Sequence, residues 1–224
     1  IERSRSGLSL LSGKIVDGII TMDAFSKLPE LAALIGAAPW VQCAEYADAG
    51  AVSCVGINDV DPSQHVVTHL ADGARKRIAL INHDLSYKYA RLRERGYKSV
   101  IHLKDLAYQA VEYASDLSFG AGMAAMQNLL KENPPDAVFA VSDTLAAGAL
   151  HAIQQAGLRV PEDIAVVGFD GTELAEMISL TTIEQPSRDI GRKAVDLLLN
   201  KIDNPDAPTE RVMMDWRFIS RASA

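Results

Sequence analysis

Asp136-Ala137-Val138-Phe139-Ala140-Val141, a helical run over 144–156, and then Asp163-Ile164-Ala165-Val166-Val167-Gly168-Phe169 form the stretch that decides the fold. Two short apolar runs flank a helix closed by Gly157, a residue suited to a left-handed C-cap. A strand–helix–strand unit of this kind pairs its strands in parallel through a right-handed crossover. Neither strand alternates polar with apolar residues. That continuity predicts a sheet covered on both faces.

The same pattern continues outward. Upstream, Arg75-Lys76-Arg77 precedes a strand at Ile78-Ala79-Leu80-Ile81, followed by a helix over 87–103 that is interrupted near Gly96. A strand at Ala110-Val111-Glu112-Tyr113 and an amphipathic helix over 119–131 come next, and Pro134-Pro135 stops that helix. Four strands separated by helices imply an α/β fold with a doubly wound sheet. In the first third, strands are expected over 15–21, 40–43 and 52–57, with a helix over 28–35. Downstream come a strong amphipathic helix over 189–202 and one final strand over 212–219. The first lobe so read has an unprotected edge, so a further strand–helix unit is expected ahead of this sequence.

Net charge is −7, with no basic face in sequence, which argues against phosphate-gripping nucleic-acid binding by these residues. No apolar run is long enough to span a bilayer and Ile1-Glu2-Arg3-Ser4-Arg5 opens no signal peptide, so a cytoplasmic location without a membrane partner is expected. Cys43 and Cys54 are too few for a disulfide framework and read as buried free thiols.

In open parallel sheets, ligands bind beyond the carboxyl ends of the strands. Two carboxylates stand there: Ser142-Asp143 after Val141, and Asp170-Gly171 after Phe169. The balance favours a helix cap at Asp143 and a free carboxylate at Asp170, where Thr172 is itself a competent cap. Such a carboxylate accepts hydrogen bonds from both hydroxyls of a vicinal diol. No nucleophile elbow and no Walker A loop is present. His65 and His69 share a helix face but lack the Glu and third ligand of a zinc site, and read as exposed helix histidines with no metal. Gly120-Ala121-Gly122-Met123-Ala124-Ala125 satisfies a relaxed dinucleotide pattern, but its glycines fall within helical turns and not straight off a strand. No cofactor and no enzyme activity are therefore expected.

Six segments, in order, carry a family resemblance. They are Val16-Asp17-Gly18-Ile19-Ile20; Lys76-Arg77-Ile78-Ala79; Arg93-Glu94-Arg95-Gly96-Tyr97; Ala140-Val141-Ser142-Asp143 running on to Ala149; Val160-Pro161-Glu162-Asp163 running on to Asp170; and Leu180-Thr181-Thr182-Ile183-Glu184-Gln185-Pro186. Together they resemble the effector-binding region of the LacI/GalR family of bacterial transcription repressors. The resemblance implies two Rossmann-like, periplasmic-binding-protein-like lobes with doubly wound parallel sheets and three crossovers. Transferred here, the N-terminal lobe takes 1–58 plus 188–212, with its first strand–helix unit expected ahead of this sequence, and the C-terminal lobe 59–187 plus 213–224. It further implies a homodimer whose lobes close over a small molecule in the interlobe cleft, controlling operator DNA through a helix-turn-helix domain absent from this sequence.

Residue by residue, the resemblance places Arg93 as the arginine on effector hydroxyls, with Asp170 facing it across the cleft. Ser142 stands where many members have Asn, and Gln185 lies on a crossover and reaches the ligand. Leu117 departs from an aromatic that many members stack on the sugar, with Phe119, Phe169 or Tyr46 as substitutes. Ala44-Glu45-Tyr46 and Ser142-Asp143 are most similar to the family's cytidine-responsive repressor. A nucleoside effector is thus expected, with a sugar as the alternative, or a periplasmic sugar-binding protein of a transporter.

Overall fold

The computed structural model describes residues 15–22, 35–47, 52–131 and 133–224. Apart from Ile35, the helix expected over 28–35 lies outside them. In chain order the strands are β1 (Ile19–Thr21), β2 (Trp40–Cys43), β3 (Ser53–Gly56), β4 (Ile78–Asn82), β5 (Ala110–Tyr113) and β6 (Ala137–Ala140). Then follow β7 (Ala165–Asp170), β8 (Thr181–Glu184), β9 (Arg211–Met213) and β10 (Arg217–Ile219). The described helices are α1 (Val60–Asp72), α2 (Lys88–Leu103), α3 (Phe119–Leu129), α4 (Asp143–Gln155), α5 (Glu173–Met177) and α6 (Ser187–Asp203).

The chain forms two compact units and passes between them three times. One comprises Ile1–Ile57 and Pro186–Asp215, the other Asn58–Gln185 and Trp216–Ala224. The first holds a parallel sheet in the order β1-β2-β3-β9. Ile190, Ala194 and Leu197 of α6, spaced for one helix face, are buried, and α6 packs on this sheet despite its late place in the chain. Cys43 and Cys54 are buried free thiols on neighbouring strands, and burial pushes the Cys43 thiol up.

The second unit holds a six-stranded sheet in the order β10-β8-β7-β6-β4-β5, parallel except for β10, which runs antiparallel to β8. Ile78, Leu80, Val138, Phe139, Val166 and Val167 are fully buried, as strands covered on both faces require. The single strand expected over 212–219 is in fact two. The chain leaves the first sheet at Met213 and enters the second at Arg217. No Gly or Pro punctuates Met214-Asp215-Trp216, so residue pattern alone did not reveal the break.

Gly96 does not interrupt α2. A Cβ there would stand 2.6 Å from the Val60 carbonyl and 2.7 Å from the Ser63 Cβ, so the glycine lets α2 lie against α1. Gly122 of the 120–125 run serves packing in the same way, since a Cβ there would meet the Leu145 carbonyl at 2.3 Å, and so does Gly148 of α4, where one would meet the Phe119 carbonyl at 2.1 Å. Gly148→Ala is expected to destabilise the second unit by about 3 kcal/mol in urea unfolding, despite alanine's better helix propensity. A loss under about 1 kcal/mol would show that α3 and α4 separate easily at this point.

His65 and His69 do share one face of α1; His65 is exposed as expected, while His69 is half-buried. Phe218 of β10 lies 4.9 Å from the His65 ring and 4.7 Å from that of His69, with Trp216 5.4 Å from His65. Burial, and then the neighbouring His65, lower the His69 pKa.

Candidate functional site

The second sheet reverses its direction of growth between β4 and β6. From β4 the chain moves outward to β5, then returns to the other side of β4 with β6. Loops leaving these two carboxyl ends diverge, and the opening between them is the place where such sheets bind ligands.

Arg93 reaches this point from α2. Its Nε donates to Asp59 Oδ1 at 2.8 Å and a terminal nitrogen donates to the Val141 carbonyl at 2.6 Å. The same nitrogen lies 3.7 Å from Asp170 Oδ1. Its guanidinium carbon sits 3.5 Å from the centre of the Phe169 ring and 4.9 Å from that of Tyr89. Two carboxylates, a carbonyl and two aromatic faces thus hold one arginine, whose side chain is only 6% exposed. This is a positioned group and not a solvated helix charge.

Asp170 is the last residue of β7 and takes φ 116°, a conformation costly for any residue with a Cβ. The strand end is tight: a Cβ on Gly171, itself at φ 72°, would lie 2.5 Å from Glu184 Cα. Gln185 pins the aspartate twice, its Nε2 donating to Asp170 Oδ1 at 2.8 Å and its backbone N–H to the Asp170 carbonyl at 3.1 Å. Burial pushes the Asp170 carboxyl up to about 6, with Asp143 and Asp59 adding to the rise while Arg93 and Gln185 oppose it. Still, 35% of the side chain meets solvent, which moderates that rise and leaves a carboxylate open to a ligand.

Asp143 is not the cap expected of it. Ser142 caps α4, its Oγ accepting from the Leu145 N–H at 3.2 Å. The Asp143 carboxylate is fully buried and accepts from Thr172 N–H at 2.7 Å, Thr172 Oγ1 at 2.9 Å and Thr182 Oγ1 at 2.6 Å. It staples the loop after β7 to α4. Thr172 accordingly makes no side-chain cap for α5.

Arg93, Asp170, Gln185, Phe169 and Ser142 all come from the second unit's strand ends or the helix above them. Arg93 and Asp170, expected to face each other across the cleft, are ion-paired neighbours within one unit. Phe169 is fully buried, with Arg93 lying over its ring. Leu117 is 41% exposed on the loop before α3, while Phe119 is 44% exposed and packs 5.5 Å from His151. Tyr46 belongs to the first unit, where its buried hydroxyl donates to the Ile57 carbonyl at 3.0 Å. Sequence reasoning missed Asp59 and Tyr89. A lone Asp before a helix gave no signal for Asp59, but Tyr87-Lys88-Tyr89, on the loop and helix start that follow β4, was legible as aromatic. Tyr89 is held through its hydroxyl, 2.8 Å from His83 Nδ1. Among the described residues, no group of three His, Cys, Asp or Glu is placed to hold a metal ion.

A family model described as a periplasmic binding protein-like domain matches residues 67–224. The ribose operon repressor of Escherichia coli K12 is 32% identical over 229 residues, spanning 100% of this chain and 69% of that protein. The chain belongs to the LacI family. It corresponds to the family's effector-binding domain. The repressor CytR of Escherichia coli K12 is 31% identical, over 99% of this chain and 67% of that protein. A crystal structure of an uncharacterized protein from Actinobacillus succinogenes superposes on this LacI-family chain with TM-score 0.95 at 52% identity, covering 99% of this chain and 83% of that one. Both of these curated relatives are transcriptional repressors and not enzymes. No described helix is long and apolar enough to cross a membrane.

Proposed function

We propose that this domain senses a small polyhydroxylated effector at the carboxyl end of the second unit's sheet and so controls operator binding by a LacI-type repressor dimer. The observation that carries the reading is the Arg93–Asp170 pair at the switch point, one oxygen pinned by Gln185 and a third of the Asp170 side chain exposed. Arg93 supplies donors and Asp170 acceptors, the complement of a vicinal diol. Ser142 stands on the adjoining strand end. The effector acts on DNA affinity only through its different affinities for the domain's conformations.

Cytidine and ribose are the two effector candidates, because the relatives include CytR and the ribose operon repressor. Both present a ribose diol to Asp170. They differ in what the rest of the site must accept, a base or only water. A thermal-shift series with cytidine, ribose, hexoses, disaccharides and free cytosine separates them. A true effector at about 100 times its dissociation constant adds roughly 2.7 kcal/mol of stability. Stabilisation by cytidine but not ribose selects the nucleoside. The reverse result selects the sugar, and no response to any polyol means the site is wrongly placed.

A further inference from the structure

The charges around the site bear on which form of the effector it accepts. Arg93 is the cation at its centre, and its charge is already matched by Asp59 at 2.8 Å, with Asp170 3.7 Å away. Lys88, at the start of the same helix, is buried and engaged. Arg91 is turned back onto the Leu85 and Ser86 carbonyls, at 2.7 and 2.8 Å. Around them the carboxylates are more numerous. Asp143 is buried beside Asp170. Asp84 and Asp116 stand on the loops that leave β4 and β5 at the same end of the sheet.

Those two rim carboxylates stay ionised. The Ser86 N–H donates to Asp84 Oδ1 and the Ser118 N–H to Asp116 Oδ1, each at 2.8 Å. Hydrogen bonds from these serines hold both groups below the usual carboxylate range. β4 and β5 are parallel neighbours, so both loops leave the same edge of the sheet, and His83 beside Asp84 stacks 6.3 Å from the Tyr89 ring, which lies 4.9 Å from the Arg93 guanidinium. An incoming dianion meets repulsion at the rim and, at the centre, an arginine whose charge is spent on Asp59.

We propose that the site selects the uncharged polyol and rejects its phosphate ester, with Asp84 and Asp116 acting as the charge filter. The inference rests on the effector reading above and narrows it. The compound sensed is then the substrate of whatever kinase phosphorylates it, and that reaction switches the signal off.

Calorimetric titration of the purified chain at low ionic strength tests this with two pairs: ribose against ribose 5-phosphate, and cytidine against cytidine 5′-monophosphate. In the pair that binds, the ester is expected to be at least about 100-fold weaker. In the double variant Asp84→Asn/Asp116→Asn both loop hydrogen bonds can persist through Oδ1. Affinity for the neutral compound should stay within about twofold, while the ester gains about threefold or more, a gain that added salt removes. An ester that binds as tightly as its parent overturns the charge selection and leaves the effector reading intact. A double variant with no gain for the ester overturns the role of the rim. Silence of both pairs and of the wider polyol series overturns the selection together with the effector reading.

Discussion

Arg93→Ala is expected to destabilise the second unit by about 3–5 kcal/mol, in addition to removing effector binding. Asp59 is the reason. Its side chain is 6% exposed and turned to Arg93 Nε, making no cap bond to α1. Removing the guanidinium leaves that buried carboxylate unpaired and strips the cover from the Phe169 ring. The Val141 carbonyl loses a donor as well. Urea unfolding of Arg93→Ala, Asp59→Asn and the double variant checks this. The double variant should recover a large part of the loss, because it removes the unpaired charge and not merely a contact. If Arg93→Ala stays within about 1 kcal/mol of the parent, Arg93 is a ligand group with no structural part.

Asp170→Asn is expected to act in the opposite direction on stability and in the same direction on binding. The folded protein holds the Asp170 proton up to about 6, whereas an unfolded aspartate releases it near 4. Between those values the native state binds more protons than the unfolded state, so stability falls as pH rises through the window and the penalty is complete above it. The rise already includes the attraction of Arg93, so the net effect of the charge is unfavourable. Because a third of the side chain is solvated, the gain from Asn at pH 7–8 is reduced to about 1 kcal/mol. At pH 4 the two proteins should melt together. Effector affinity should drop about tenfold to a hundredfold, as a charge-assisted bond to a hydroxyl is worth about 1.5–3 kcal/mol. The parent's affinity should itself decline below pH 6. A variant that is less stable than the parent at pH 8, or that binds with undiminished affinity, contradicts this account of Asp170.

Strands β4, β6 and β7 were legible because their cores are short, apolar and separated by helices with clear stops, whereas β8, Thr181-Thr182-Ile183-Glu184, carries no such run. Strand Trp40–Cys43 and the late helix around Ile190, Ala194 and Leu197 were legible for the same reason. The break between β9 and β10 was not. Alternation continues across it, and the two halves differ only in which sheet they join. Gly96 was misread because a glycine in a helix is ambiguous until its neighbour is known. Here the neighbour is the α1 backbone, and contact rather than flexibility explains the residue. Ser142 took the capping part expected of Asp143, because both are competent caps. The choice fell to Thr172 and Thr182, whose hydroxyls offer Asp143 a better set of partners from distant segments.

The sequence by itself determined the class of fold and, through its ordered segments, the LacI-family membership. It did so because hydrophobic period, helix stops and turn residues are local properties. Only the tertiary structure decided how Arg93 is used. Its three oxygen partners lie 34, 48 and 77 positions away, and the strand order brings them to one point. Sequence spacing carries no information about such meetings, because they depend on which strands pair and which helices cover them. The pair singled out as two faces of a cleft is therefore one ion-paired centre within a single unit. Its partly exposed carboxylate, and the acidic loops at the same end of the sheet, are what the proposed effector would meet.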